Sequence, residues 1–175
     1  KVIYLGTFSK SIAPSLRISY MVLPLHLLKK YQESCSFYST TVSKIQQEVL
    51  REFIRGGYFG RHLNKMRGIY KNKHDFLVGE LKKKNWVENI AGDNAGLHVL
   101  VQVNTTLTEE EICKKAAECG IRLMGIREHY IHTPPEGRPV LLLGYGKPDE
   151  QEIQKGLEVL ESIITGRNSN NCKKP

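Results

Sequence analysis

An α/β fold is predicted by three features of the sequence. Short apolar runs of strand length recur at residues 2–5, 18–23, 96–103 and 140–145. Between them lie longer stretches whose apolar residues fall three and four positions apart, the spacing of one helix face. Two of these stretches open on a capping signature, Thr108 with Glu111 and Asp149 with Glu152. In that pattern each side chain satisfies a free amide of the helix's first turn.

The elements follow in order. Val2–Leu5 is a continuous apolar run, and such a run is expected to be buried on both faces of a parallel sheet. Gly6 to Leu16, rich in Ser and Thr and containing Pro14, reads as a loop. Ile18–Leu23 reads as a second strand. Pro24 suits the first position of a helix reaching about Ser34. A second helix spans Thr41–Arg55, with Val42, Ile45, Val49, Leu50 and Phe53 on its apolar side, and Gly56-Gly57 stops it. A long helix, Tyr58 to Lys84, carries Leu63, Met66, Tyr70, Leu77 and Leu81 on one face. Leu97, Val99, Val101 and Val103 alternate with His98, Leu100 and Gln102, which is strand periodicity. The helix from Thr108 ends at Gly120, with Cys113 and Cys119 as small apolar residues on or just after it. Ile121–Met124 reads as a short strand, Gly125–Pro139 as an exposed loop and Val140–Tyr145 as an apolar strand. Ile153, Leu157, Leu160 and Ile164 form the face of the last helix, and a polar tail begins at Gly166.

Two apolar strands cannot build a parallel sheet buried on both faces. Residues 1–56 are therefore expected to be the C-terminal end of a larger domain, with a domain swap or a partner chain as the other source of the missing strands. Residues 57–166 are expected to form a second, smaller domain, and 167–175 a disordered tail.

The 175 residues carry 40% hydrophobic and 25% charged side chains, which excludes a disordered or collagen-like chain. No apolar run is long enough to cross a bilayer, so no membrane partner is expected. The lack of a signal-peptide pattern leads to an expected cytoplasmic location. No cysteine pair has C-x-x-C spacing and no histidine stands at ligand spacing from one, so no metal site is expected. The net charge of +8 points toward nucleic acid until it is located. Residues 61–84 hold eight Lys/Arg and two Asp/Glu, so one amphipathic helix carries +6 of it. A charge run of this kind is normally a solvated helix face, and no recognition-helix pattern accompanies it.

Chemistry concentrates in Gly6-Thr7-Phe8-Ser9-Lys10-Ser11-Ile12-Ala13-Pro14-Ser15-Leu16-Arg17. Lys10 follows a strand and is flanked by the hydroxyls of Thr7, Ser9 and Ser11, and Arg17 opens the next strand. A guanidinium binds two phosphate oxygens at once while hydroxyls donate to others. An amine beside such an anchor suits bonding to a phosphorylated aldehyde. A surface loop with a solvated lysine is the alternative reading of the same residues.

The whole string resembles the lysine segment of fold-type I pyridoxal-phosphate enzymes, S/T-x-S-K-x-x-x-P-x-x-R-x-G-Y, with Thr7, Ser9, Lys10, Pro14, Arg17 and Tyr20 in place and Ser19 where the family has glycine. Ile54-Arg55-Gly56-Gly57-Tyr58-Phe59-Gly60-Arg61-His62 through Met66-Arg67, continued by Tyr70 and Asp75, is similar to the helix start of aminotransferase-like domains. Ala95-Gly96-Leu97-His98 and Leu143-Gly144-Tyr145-Gly146 resemble strands of MocR-type regulators. Those are GntR-family transcription factors that join a winged helix-turn-helix to an aminotransferase-like domain.

The resemblance implies the C-terminal part of a PLP-dependent transferase fold: the end of the large-domain sheet plus the small α/β domain. It implies pyridoxal 5'-phosphate held as an aldimine on Lys10, with Thr7, Ser9 and Arg17 on its phosphate. It implies an amino-compound effector or amino acid as ligand, a homodimer in the full-length form, and DNA bound only through an N-terminal domain outside these residues. A PLP-dependent aminotransferase acting on amino acids and 2-oxo acids is the alternative, with Lys10 also moving the substrate proton. The family's other cofactor contacts precede the lysine, so this piece alone is expected to bind cofactor poorly. Where aminotransferases place an arginine for the substrate carboxylate, this chain has Leu142. Arg127, Arg138 and Arg122 are the candidates to replace it, and Arg127 is preferred. His98 and Tyr145 read as sheet and packing residues, and His129-Tyr130-Ile131-His132 reads either as the lining of a mobile substrate loop or as a solvated loop.

Overall fold

Among the described residues, twelve α-helices and strands form where the local chemistry allows them, and the chain falls into two units, residues 1–67 and 68–175. The structure, a computed structural model, describes residues 2–94, 96–133 and 136–166. Ala95 of the A-G-L-H motif and the tail expected at 167–175 lie outside the described residues.

In the first unit, β1 (Tyr4–Thr7) leads into a single helical turn, α1 (Phe8–Ser11), and returns as β2 (Ser19–Val22). The two strands pair antiparallel, Tyr4 with Val22 and Thr7 with Ser19. The one pairing seen here among the described residues is antiparallel, where the apolar run suggested a parallel sheet. Val2 is 77% and Leu5 72% exposed. Helix α2 (Leu25–Cys35) starts directly after Pro24, which occupies the capping position and not the first helical one. Helix α3 (Lys44–Arg55) is capped by Ser43, whose hydroxyl accepts the Gln46 amide, and closes on Gly56. Neither helix buries a residue.

Helix α4 (Tyr58–Lys82) contributes Leu77, Val78 and Leu81 to the core of the second unit. That unit is built on an antiparallel sheet in the order β3-β4-β6-β5, from β3 (Val87–Ala91), β4 (His98–Val103), β5 (Met124–Gly125) and β6 (Val140–Gly144). Val99, Val101 and Val103 point to one face of β4 and are fully buried with Leu141 of β6. Ile112 of α5 (Glu109–Glu118) and Ile153, Leu157, Leu160 and Ile164 of α6 (Glu150–Thr165) complete the cluster. Both capping boxes are present with reciprocal bonds.

One strand, β3, is not expected from the sequence, and one strand boundary differs from expectation. β3 has polar Glu88 and Asn89 in its middle, and its register shifts between Val87 and Asn89, so no period-two pattern marks it. The strand expected at Ile121–Met124 shrinks to Met124–Gly125 because α5 ends in a Schellman turn. Gly120 there has φ +78°, its amide bonds Ala117 O, and the Ile121 amide bonds Ala116 O at 2.9 Å. Ile121 is thereby spent on the helix cap.

The basic helix is mostly a solvated face, as its charge pattern implies: Arg61, Lys65, Arg67, Lys71, Lys82 and Lys83 are exposed, and some of its lysines also find partners. Lys73 Nζ donates to the carbonyls of Gly146 and Lys147, each at 3.3 Å. Lys84 pairs with Glu161 at 2.6 Å, and Lys83 with Glu80.

Candidate functional site

Lys10 sits in the one-turn helix between two hydrogen-bonded strands, and side-chain bonds cross-brace that connection. Thr7 caps α1: its Oγ1 accepts the Ser9 amide at 3.2 Å and donates to Ile18 O at 3.3 Å. Ser9 Oγ donates to Leu16 O at 2.6 Å, and Ser11 Oγ to Thr7 O at 3.3 Å. Backbone bonds from Phe8 N to Ile18 O and from Ile12 N to Phe8 O close the turn. What reads as a loop from composition is a braced strand–turn–strand unit.

Aromatic rings support it from the strand side. Tyr20 lies 5.1 Å from Phe8 and 6.0 Å from Tyr4 between ring centroids, and Phe8 meets Phe59 edge-on at 5.9 Å. The Tyr4 hydroxyl beside it, with a smaller desolvation effect, pushes the Tyr20 phenol above its ordinary value.

The braced turn leaves its two cationic groups available. Lys10 and Arg17 are exposed, and neither is engaged in a hydrogen bond or ion pair among the described residues. This donor set fits the pyridoxal phosphate that the resemblance implies, with an amine for the aldehyde and a guanidinium for the phosphate. The hydroxyls are a different matter, because each has one proton. Those of Thr7 and Ser9 are given to Ile18 O and Leu16 O, so donating to a phosphate requires turning them away.

Arg127 belongs to the second unit, in a 3-10 turn (Arg127–His129) after β5. It is exposed, and its Nη2 donates to Gly137 O at 3.4 Å. Arg138 pairs with Glu88 at 3.2 Å and Arg122 is exposed. His129 and His132 are exposed as expected of loop residues. Leu142 lies inside the sheet, opposite Leu100 and Met124. His98 is exposed on β4 opposite Gly144. Tyr145 is buried, its hydroxyl donates to Gly96 O at 2.8 Å, and its ring meets His74 at 5.6 Å. Burial raises its phenol above the usual value.

Glu109 escapes sequence reasoning. In the run Glu109-Glu110-Glu111 it resembles an ordinary acidic first turn favoured by the helix dipole. Yet Glu109 is buried, and its carboxylate accepts the backbone amides of Arg127 and Val140, both at 2.9 Å. The signal lies in Gly125: a Cβ there would overlap Glu109, standing 2.8 Å from that residue's own Cβ. Among the described residues no group of His, Cys, Asp and Glu side chains is arranged to hold a metal ion.

Comparison with known proteins agrees with this geometry. Residues 1–154 match the family Aminotransferase class I and II. The uncharacterised HTH-type transcriptional regulator YdeL of Bacillus subtilis (strain 168) is 39% identical over 163 residues, 93% of this chain and 35% of its own length. The probable rhizopine catabolism regulatory protein MocR of Rhizobium meliloti is 29% identical, over 94% of this chain and 33% of its own. The chain thus spans about a third of the length of these relatives. Among solved structures, the multiple substrate aminotransferase of Thermococcus profundus superposes with a TM-score of 0.78 at 23% identity, over 94% of this chain and 40% of that one. LysN, the α-aminoadipate aminotransferase of Thermus thermophilus, solved with N-(5'-phosphopyridoxyl)-L-leucine, gives 0.77 at 23%, covering 94% and 42%. With its lysine turn between paired strands and its capped α/β second unit, the chain belongs to the class I and II aminotransferase family.

Proposed function

We propose that the chain is the C-terminal part of the PLP-binding, effector-sensing domain of a MocR-type bacterial transcriptional regulator. The observation that carries this is the braced turn with Lys10 exposed on it and Arg17 exposed where it leads to β2, in a chain 39% and 38% identical to two HTH-type transcriptional regulators of Bacillus subtilis. Pyridoxal phosphate, when bound, would supply an aldehyde that an amino compound can capture and a ring that withdraws electrons from the ligand carbon bearing the amino group. Lys10 would hold that aldehyde through its ε-amino group. Arg17 would neutralise the phosphate, and the Thr7 and Ser9 hydroxyls, once turned from Ile18 O and Leu16 O, would donate to its oxygens. Arg127 binds the carboxylate of the amino-compound ligand, replacing an arginine that Leu142 does not supply.

In this reading residues 1–56 end the large domain and 57–166 form the small one. The full-length protein is a cytoplasmic homodimer, and DNA is read by a separate N-terminal domain. Among the described residues no helix is long and apolar enough to cross a membrane. Exposed Val2, Leu5 and Val22 are the apolar faces that the remainder of the large domain would cover.

The second reading, a PLP-dependent aminotransferase, is favoured by the superposed enzymes. Kinetics on the full-length protein separate the two. The regulator reading expects one ligand captured per site, altered operator binding and no sustained transfer of the amino group to a 2-oxo acid. Steady turnover with an amino donor and a 2-oxo acid, without operator binding, supports the enzyme instead.

A further inference from the structure

The sheet ends at a point where two amides need acceptors. The β5–β6 ladder pairs Met124 with Leu142 and Gly125 with Leu141, and Ile126 N reaches Val140 O at 3.2 Å. Beyond that bond the amides of Arg127 and Val140 have no strand partner, and an unpaired amide in a buried place is costly. Glu109, on the neighbouring helix α5, supplies both acceptors: Oε2 to Arg127 N and Oε1 to Val140 N, each at 2.9 Å. The side chain is 6% exposed, so it gives up its hydration to do this. Burying a carboxylate is unfavourable unless its oxygens are hydrogen-bonded, and here each is bonded to a backbone amide. Gly125 leaves the space that the carboxylate occupies, because a Cβ at that position would overlap it.

We propose that Glu109 is a positioning residue: its buried carboxylate fastens the backbone of Arg127 to the start of β6 and so sets where the Arg127 guanidinium is presented. Its role in ligand recognition rests on the reading of Arg127 as the partner of the ligand carboxylate. Arg127 then starts from a fixed backbone, and less ordering is lost when an anion binds it. The chemistry demands a carboxylate. Glutamine has one accepting oxygen, and its NH2 would face the second amide donor to donor.

The test uses the full-length protein loaded with pyridoxal phosphate. Glu109→Gln is the main variant, because Glu109→Ala leaves both amides bare and can prevent folding. Hydrogen exchange at the amides of Arg127 and Val140 is read against Val101 in β4. At least one of the two is expected to exchange roughly tenfold faster or more, with Val101 unchanged. The second arm compares binding of L-alanine with that of L-alaninamide, which lacks the carboxylate. The preference for L-alanine is expected to fall about tenfold in Glu109→Gln and in Arg127→Ala, and no further in the double variant. Unchanged exchange at both amides overturns the proposal. So does a preference retained in Glu109→Gln but lost in Arg127→Ala. If Arg127→Ala keeps the preference, the carboxylate role of Arg127 fails, and the exchange rates still decide for or against the fastening by Glu109.

Discussion

The ring of Tyr20 lies across Gly6 on the paired strand, where a Cβ on Gly6 would overlap it. A missing side chain on β1 thus makes room for a ring on β2, and that ring reaches Phe8 at the start of the lysine turn. An alanine at position 6 therefore requires the Tyr20 ring to move, two residues before the turn begins.

Gly6→Ala is expected to displace Tyr20 and destabilise the full-length protein by about 1–3 kcal/mol, the usual cost of overpacking. Urea unfolding measures it. The cost should fall when Tyr20 is itself replaced by alanine. An equal cost in both backgrounds would mean that the ring is not what excludes the methyl group.

A second prediction concerns acid. Glu111 accepts the Thr108 amide at 2.8 Å and its hydroxyl at 3.0 Å, and these bonds lower its carboxyl below the ordinary 4.5. A folded-state value below the unfolded one means that stability is present in full above 4.5 and is lost as pH falls through the lowered value. The stability difference between the wild-type protein and Glu111→Gln should hold constant at neutral pH and shrink below that point. Urea midpoints from pH 7 to 3 would show it, and a constant difference over the whole range would refute it.

The legible features were those written into neighbouring residues. Both capping boxes pair residues three apart, and the amphipathic faces of α4 and α6 follow one helix period. The lysine turn was legible as a string of residue types. Its bracing was not, because Ser9 to Leu16 and Thr7 to Ile18 are contacts across a turn that composition alone reads as loop. β3 stayed hidden because its pairing with β4 carries a register shift and its middle residues are polar. The direction of the β1–β2 pair is not legible either, because an apolar run records what a strand can bury, and not which way its partner runs. Glu109 was invisible for a related reason: its two bonding partners are backbone amides 18 and 31 residues away.

The core of the second unit gives a third prediction. Leu81, in the last turn of α4, is fully buried beside Trp86 and the valines of β4. Leu81→Ala should cost about 2–5 kcal/mol, lost transfer energy plus a cavity. Replacing exposed Lys82 next to it should cost within about 0.5 kcal/mol. Chemical denaturation of the two variants compares them directly, and equal effects would contradict the burial pattern.

Lys10 is proposed as the residue that holds pyridoxal phosphate. The most direct measurement is borohydride reduction of the cofactor-loaded full-length protein, followed by peptide mass spectrometry. The expected result is a phosphopyridoxyl group on the peptide containing Lys10, with none incorporated in Lys10→Ala. Labelling at another lysine, or equal labelling in wild type and Lys10→Ala, would contradict it.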